Sequence, residues 1–188
     1  MGQGYASAPS AITHILHGKS ILIYPMLVAL LSDIHDHTTH LLLALHAAEQ
    51  EGCTHLLFMG DMASASTFRT LREEWKHGID LVFGNNEYEL GVFRQLAEKW
   101  PQTTLHGDEA DISLDGRRIY FTHLPWSATK AAERGLYDAV FFGHTHCAEQ
   151  RYHGGTLVVN PGEVYGRQGA PSIGVYDTET NTARIIPI

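Results

Sequence analysis

Apolar and polar positions change rhythm along the chain, and the rhythm predicts its elements. Short apolar runs at residues 26–31, 55–59 and 80–83 read as buried strands. Between them the spacing turns helical. Leu41, Leu42, Leu45 and Ala48 share one side of a helix over 40–50. A second helix, 64–76, opens on serines that can cap it, and a third, 87–100, stops before Pro101. Strands alternating with helices predict a parallel sheet. Past residue 100 the pattern shortens to strands at 103–105, 111–114 and 117–122. Asp115-Gly116 joins the last two, a hairpin signal. A short helix at 127–134 follows, then strands at 138–142, 156–159, 173–176 and 183–186. The expected architecture is α/β, two stacked sheets with helices outside. No repeat or linker breaks residues 26–188, which read as one domain. Residues 1–25 read as an upstream extension, and the pattern leaves their order open.

Composition supports a packed domain, with 44% hydrophobic and 18% charged residues. The formal net charge of -8 opposes a polyanionic partner, so no binding to nucleic-acid duplexes is expected. A small phosphate ester remains compatible if cations supply local positive charge. The apolar run 21–31 is interrupted by Pro25 and is shorter than the ~20 residues a bilayer needs, so it reads as a buried strand starting near Met26 and no membrane partner is expected. Cys53 and Cys147 stand far apart with no disulfide framework. That pattern fits a reducing, cytoplasmic setting, and Cys147 reads as a packed thiol.

The candidate chemistry stands at the ends of strands. Asp33-Ile34-His35 follows the first, Gly60-Asp61 the second, and Gly84-Asn85-Asn86 the third. His123 follows 117–122, and Gly143-His144-Thr145-His146 follows 138–142. Loops at the carboxyl ends of strands converge in open α/β sheets. Alternate residues of an extended segment point the same way, so Asp33 with His35, and His144 with His146, can each aim two groups at one cavity. Mixed imidazole and carboxylate donors suit Mn, Fe, Ni or Zn better than Ca or Mg. Each fragment alone is a weak signal, and their joint placement is the stronger one.

The ordered set Asp33-x-His35, Gly60-Asp61, Gly84-Asn85, His123 and Gly143-His144-x-His146 resembles the calcineurin-like metallophosphoesterase superfamily. The short chain and the Asn160-Pro161-Gly162 turn are most similar to YfcE-type phosphodiesterases. The resemblance implies a four-layer α/β sandwich of two mixed sheets flanked by helices. It implies one metal ion held by Asp33, His35, Asp61 and His146, and a second held by Asp61, Asn85, His123 and His144. Asp61 would bridge the pair, manganese being the first expectation. Asp61, Asn85 and His123 would be catalytic, and a water activated between the ions would attack phosphorus. The implied activity is hydrolysis of a phosphodiester, with a phosphomonoester as the alternative on the same site.

Two positions depart from the family pattern. Asn86 stands where many members carry a histidine, and an amide cannot act as a titrating acid. Asp36 stands where glycine often follows Asp-x-His, and reads as part of a solvated loop. His37, His40, His46, His55, His77, His106 and His153 fit no ligand position and read as packed or surface residues. Trp126 could line a pocket or pack in the core. A protein-interaction scaffold is the second class, because the small retromer subunit resembles this fold. An amidohydrolase barrel is disfavoured by length and by the late His-x-His. An exposed sheet edge could pair two copies into a homo-oligomer.

Overall fold

The computed structural model describes residues 26–188 and, by backbone alone, 12–16 and 19–23. In chain order the elements are β1 (Ile12–Leu16), β2 (Lys19–Ile23), β3 (Leu27–Leu31), α1 (Thr38–Gln50), β4 (His55–Met59), α2 (Ala65–Glu74), β5 (Gly78–Val82), α3 (Leu90–Ala97), β6 (Thr103–Leu105), β7 (Glu109–Leu114), β8 (Arg117–Thr122), α4 (Pro125–Glu133), β9 (Ala139–Phe141), β10 (Glu149–His153), β11 (Thr156–Asn160), β12 (Ser172–Asp177) and β13 (Thr182–Pro187). The first two strands pair antiparallel, Ile12 opposite Ile23. The rest of the expected upstream extension, residues 1–11, 17–18 and 24–25, lies outside the described residues.

Two mixed sheets follow from these strands. The first runs β13-β12-β3-β4-β5-β6, parallel from β3 to β6 and antiparallel at β12 and β13. The second runs β10-β11-β9-β8-β7, parallel only across β11, β9 and β8. Side-chain alternation along the strands sets the layers. Ala29, Leu31, Leu56, Phe58, Ile79 and Leu81 face Leu41, Leu45, Phe68, Leu71 and Phe93 of α1–α3. The intervening Val28, Leu30, Leu57, Met59 and Val82 face Ile119, Phe121, Phe141, Leu157 and Val159 of the second sheet. That sheet turns Tyr120, Val140 and Val158 toward three alanines of α4, Ala128, Ala131 and Ala132. The expected four layers are therefore present, with both sheets buried on two faces through their centres.

Several element boundaries differ from the periodicity, each for a local reason. Helix α1 begins earlier than expected because the His37 Nδ1 accepts the His40 N–H at 3.2 Å and caps it. Helix α2 starts after Ser64, whose Oγ accepts the Thr67 N–H. Helix α3 is shorter than 87–100. The Glu87 carboxylate accepts from Met62 N at 2.8 Å and Gly84 N at 2.7 Å, so Glu87 ties two loops instead of opening a helix. At its far end Lys99 and Trp100 donate to Leu96 and Ala97, a tightened final turn. Strand β5 starts at Gly78, where a Cβ would come 2.5 Å from the His55 ring. Strand β10 was invisible to hydrophobic patterning because all five of its residues are exposed.

Candidate metal centre

The loops leaving β3, β4, β5, β8 and β9 meet at one end of the sandwich, and backbone hydrogen bonds lock them together. Asp33 N donates to Gly60 O at 3.0 Å, and Ile34 N and His35 N both donate to Asp61 O at 2.9 and 3.0 Å. Gly143 N donates to His123 O at 3.1 Å, and His144 N reaches the Asp33 Oδ2 at 3.0 Å. Such close approach needs glycine. A Cβ on Gly60 would lie 2.5 Å from Gly84 N, one on Gly84 would overlap the Asp61 carboxylate, and one on Gly143 would overlap Ser32 Oγ. Strain collects here too. Asp33, His35, Asp61, His144 and His146 all take positive φ, between 45° and 69°. Non-glycine residues hold that conformation at a cost of roughly 1–3 kcal/mol each, and only where surroundings enforce it.

The seven expected side chains come together in two overlapping groups. On one side His35 Nε2 stands 3.5 Å from Asp61 Oδ2 and 3.8 Å from Asp33 Oδ1, and His146 Nε2 lies 3.3 Å from that Asp33 oxygen. On the other, His123 Nε2 is 3.4 Å from Asp61 Oδ2 and 3.1 Å from Asn85 Oδ1. His144 turns its Nδ1 inward, 2.9 Å from Asn85 Oδ1 and 3.2 Å from His123 Nε2. One carboxylate oxygen, Asp61 Oδ2, thus faces both groups. Asp33, His35 and His146 offer donor atoms within 4.8 Å of one another, as do Asp33, Asp61 and His123.

Asp33 Oδ1 and His35 Nε2 are buried without any hydrogen-bond partner. Leaving such groups unpaired costs about 1–3 kcal/mol each, and a cation between them would satisfy both. The fields agree. Burial alone would raise the Asp61 carboxyl, but hydrogen bonds from His123 and Asn86 outweigh it and hold the group well below the usual range. The Asp33 carboxylate raises His35 against its burial, with Asp61 adding to the effect. His123 is likewise raised, because Asp61 and Asp33 together overcome the lowering by burial. A site that draws protons onto its imidazoles draws a divalent cation to the same lone pairs.

A supporting shell surrounds these groups, and most of it escaped sequence reasoning. His123 Nδ1 lies 2.7 Å from Met59 O, which aims Nε2 inward. Glu163, 1% exposed, places Oε2 2.6 Å from His146 Nδ1, while its other oxygen accepts the Gln168 and Gly169 N–H groups. Its only trace in the sequence is an acid directly after the Asn160-Pro161-Gly162 turn. Asn86 donates Nδ2 to Asp61 Oδ2 at 2.6 Å and its N–H to Asp61 Oδ1 at 2.9 Å, so it holds that carboxylate. Asp36 is exposed, yet its Oδ1 accepts from Ser64 N, Ser64 Oγ and Thr67 Oγ1, so it fastens the start of α2 instead of standing free in solvent. Cys147 is exposed, not the packed thiol expected, because it lies in the loop beyond β9. Trp126 is also outside the core, 55% exposed. Of the histidines outside the ligand set, His55 and His106 bracket Asp80 at 2.7 and 2.5 Å, and the His37 and His40 rings meet tilted by 31°, centroids 3.8 Å apart.

Among the described residues no helix is long and apolar enough to cross a membrane. The chain is 29% identical over 164 residues to phosphodiesterase MJ0936 of Methanocaldococcus jannaschii, covering 86% of this chain and 98% of that protein. A solved archaeal phosphodiesterase matches with a TM-score of 0.81 and 29% identity, over 87% of this chain and all of that one. YfcE, a phosphoesterase of Escherichia coli, matches at TM-score 0.58 and 21% identity, over 87% of this chain and 100% of that one. Vps29 of Entamoeba histolytica, in complex with zinc, matches at TM-score 0.59 and 19% identity, over 87% and 98%. These last two speak to the fold alone. The calcineurin-like phosphoesterase superfamily domain matches residues 26–181, a span holding all seven clustered side chains, and the chain belongs to that superfamily.

Proposed function

We propose that the chain is a phosphodiesterase that works with two divalent transition-metal ions, manganese first and Fe, Ni or Zn as alternatives. Asp33, His35, Asp61 and His146 hold one ion. Asp61, Asn85, His123 and His144 would hold the other, Asp61 being common to both sets. The orphaned pair Asp33 Oδ1 and His35 Nε2, aimed into a ring of imidazoles, carries this reading. When bound, two such ions supply Lewis acidity, lowering the pKa of a shared water and neutralising phosphoryl charge. The protein's part is to hold donors rigidly: Met59 O orients His123, Glu163 orients His146, and Asn86 orients Asp61. Asn86 offers the leaving group no titrating proton. The diester preference follows the similar archaeal phosphodiesterases. Residues 26–188 form the catalytic unit. The two free cysteines fit a reducing compartment such as the cytoplasm.

The test is turnover of bis(p-nitrophenyl) phosphate by manganese-loaded protein, together with ion content by titration calorimetry. Asp61→Ala removes the oxygen facing both groups, so it should abolish turnover and both tight sites. An Asp61→Ala protein that keeps two tightly bound ions defeats the assignment. A fully loaded wild-type protein without turnover favours a scaffold instead.

A further inference from the structure

Trp126 is placed where packing does not require it. The indole is 55% exposed, although tryptophan is among the side chains with most to gain from burial. Its ring stands against His144, centroids 6.1 Å apart at 80°, and His144 stands edge-on to His123 at 5.0 Å. The indole thus extends the wall of imidazoles outward from the candidate centre. Its position is fixed by short covalent links. His123 directly follows β8, Leu124 is the N-cap position of α4, and Pro125 fixes the first helical turn immediately before Trp126. The alanines of α4, Ala128, Ala131 and Ala132, make that helix's contact with the sheet and leave the indole outside the core. At the opposite end of the site Tyr165 lies 5.4 Å from His35, but it also leans on His37 and is partly buried. Trp126 is therefore an open aromatic face beside the centre.

We infer that Trp126 is a stacking platform for a planar aromatic arm of the substrate, so the natural diester carries a nucleobase or aryl group on at least one side of phosphorus. This rests on the phosphodiesterase reading above. A ring ester-linked to a phosphate held by the metal ions would reach outward across His144, and the indole face would cover one side of it. Stacking of this kind changes affinity by about 5- to 150-fold per ring. Purely alkyl diesters gain nothing from the platform.

Binding, not turnover, tests this. Diphenyl phosphate, the methyl ester of thymidine 5′-phosphate and diethyl phosphate share one charge and differ in their arms. Calorimetry on manganese-loaded protein should show at least one aromatic diester binding more tightly than diethyl phosphate. Trp126→Ala should reduce that preference about 5- to 150-fold, and Trp126→Phe should keep most of it. Selective loss with the thymidine ester points to a nucleobase, and selective loss with diphenyl phosphate to an aryl group. Equal weakening of all three would mean that Trp126 only steadies His144, and overturns the inference. So would an unchanged preference, or no preference in the wild type. If aromatic binding depends on Trp126 but bis(p-nitrophenyl) phosphate is not hydrolysed, the platform stands and the phosphodiesterase reading falls.

Discussion

Glu163→Gln is the substitution that most sharply separates a metal site from a coincidental cluster. The Glu163 Oε2 lies 2.6 Å from His146 Nδ1. A carboxylate there holds the proton on Nδ1 and leaves the Nε2 lone pair facing Asp33 Oδ1, 3.3 Å away. Burial alone would raise the Glu163 carboxyl, but His146 and the N–H groups of Gln168 and Gly169 bring it below its usual value, so it is ionised at neutral pH. The glutamine is nearly isosteric. Its oxygen can keep the Gln168 and Gly169 bonds, so the loop is retained. Its amide then meets Nδ1 as a donor, and two donors cannot share a hydrogen bond. The imidazole must move its proton to Nε2, which removes the lone pair a cation needs. Losing such an orienting partner typically costs 10–100-fold in metal affinity, or about 1.4–2.7 kcal/mol. Manganese titration calorimetry should show the loss at one of two sites, with the melting temperature of the metal-free protein nearly unchanged. Two sites of wild-type affinity in Glu163→Gln would refute the reasoning.

Three further outcomes are expected. Without an acid at Asn86, manganese-loaded protein should hydrolyse bis(p-nitrophenyl) phosphate at least about 100-fold faster than a dialkyl phosphate. Asn86→His should narrow that gap but weaken metal binding, because the bond to Asp61 goes with the amide; similar rates on both esters in the wild type would contradict this. Gly60 has φ +88° and its Cβ would meet Gly84 N at 2.5 Å. Gly60→Ala should therefore lose about 2 kcal/mol or more, a melting-temperature drop of roughly 4–8 °C, and an unaltered melt would contradict the packing. Burial pushes the Asp80 carboxyl up, but His106 and His55 outweigh it and bring it to about 2, from a usual 3.8. A lowered carboxylate pKa stabilises the fold above about pH 4, and that contribution disappears as pH falls toward 2. Urea unfolding should show Asp80→Asn less stable by about 1–2 kcal/mol at pH 6, with that difference reduced to about a third at pH 2.5; the same difference at both values would exclude the linkage.

The sequence carried the frame of the molecule further than its detail. Doubly buried strands leave unbroken apolar runs, as at Leu27–Leu31 and Thr156–Asn160, so both sheets could be read. The seven side chains were legible because each follows such a run directly. Glu163 was not, since a lone acid has no periodicity and only the fold brings it to His146. Asn86 was read for the proton it cannot give, while its structural task, holding Asp61, depends on a contact between separate loops. Glu87 looked like helix because local propensity says nothing of Met62 N and Gly84 N waiting for an acceptor. The all-polar β10 had no apolar face to announce it.

The candidate centre draws its donors from positions 33 to 146, and β3, which leads into Asp33, is flanked by β12 from near the end of the chain. Its two halves therefore differ in kind: the first 86 residues contribute two carboxylates, an amide and a single imidazole, and the other three imidazoles come after residue 120. A ribosome part-way through the chain would expose a weak oxygen-rich chelator with no cavity around it. Metal capture at this centre, as proposed, would require those distant segments to have closed their long loops first.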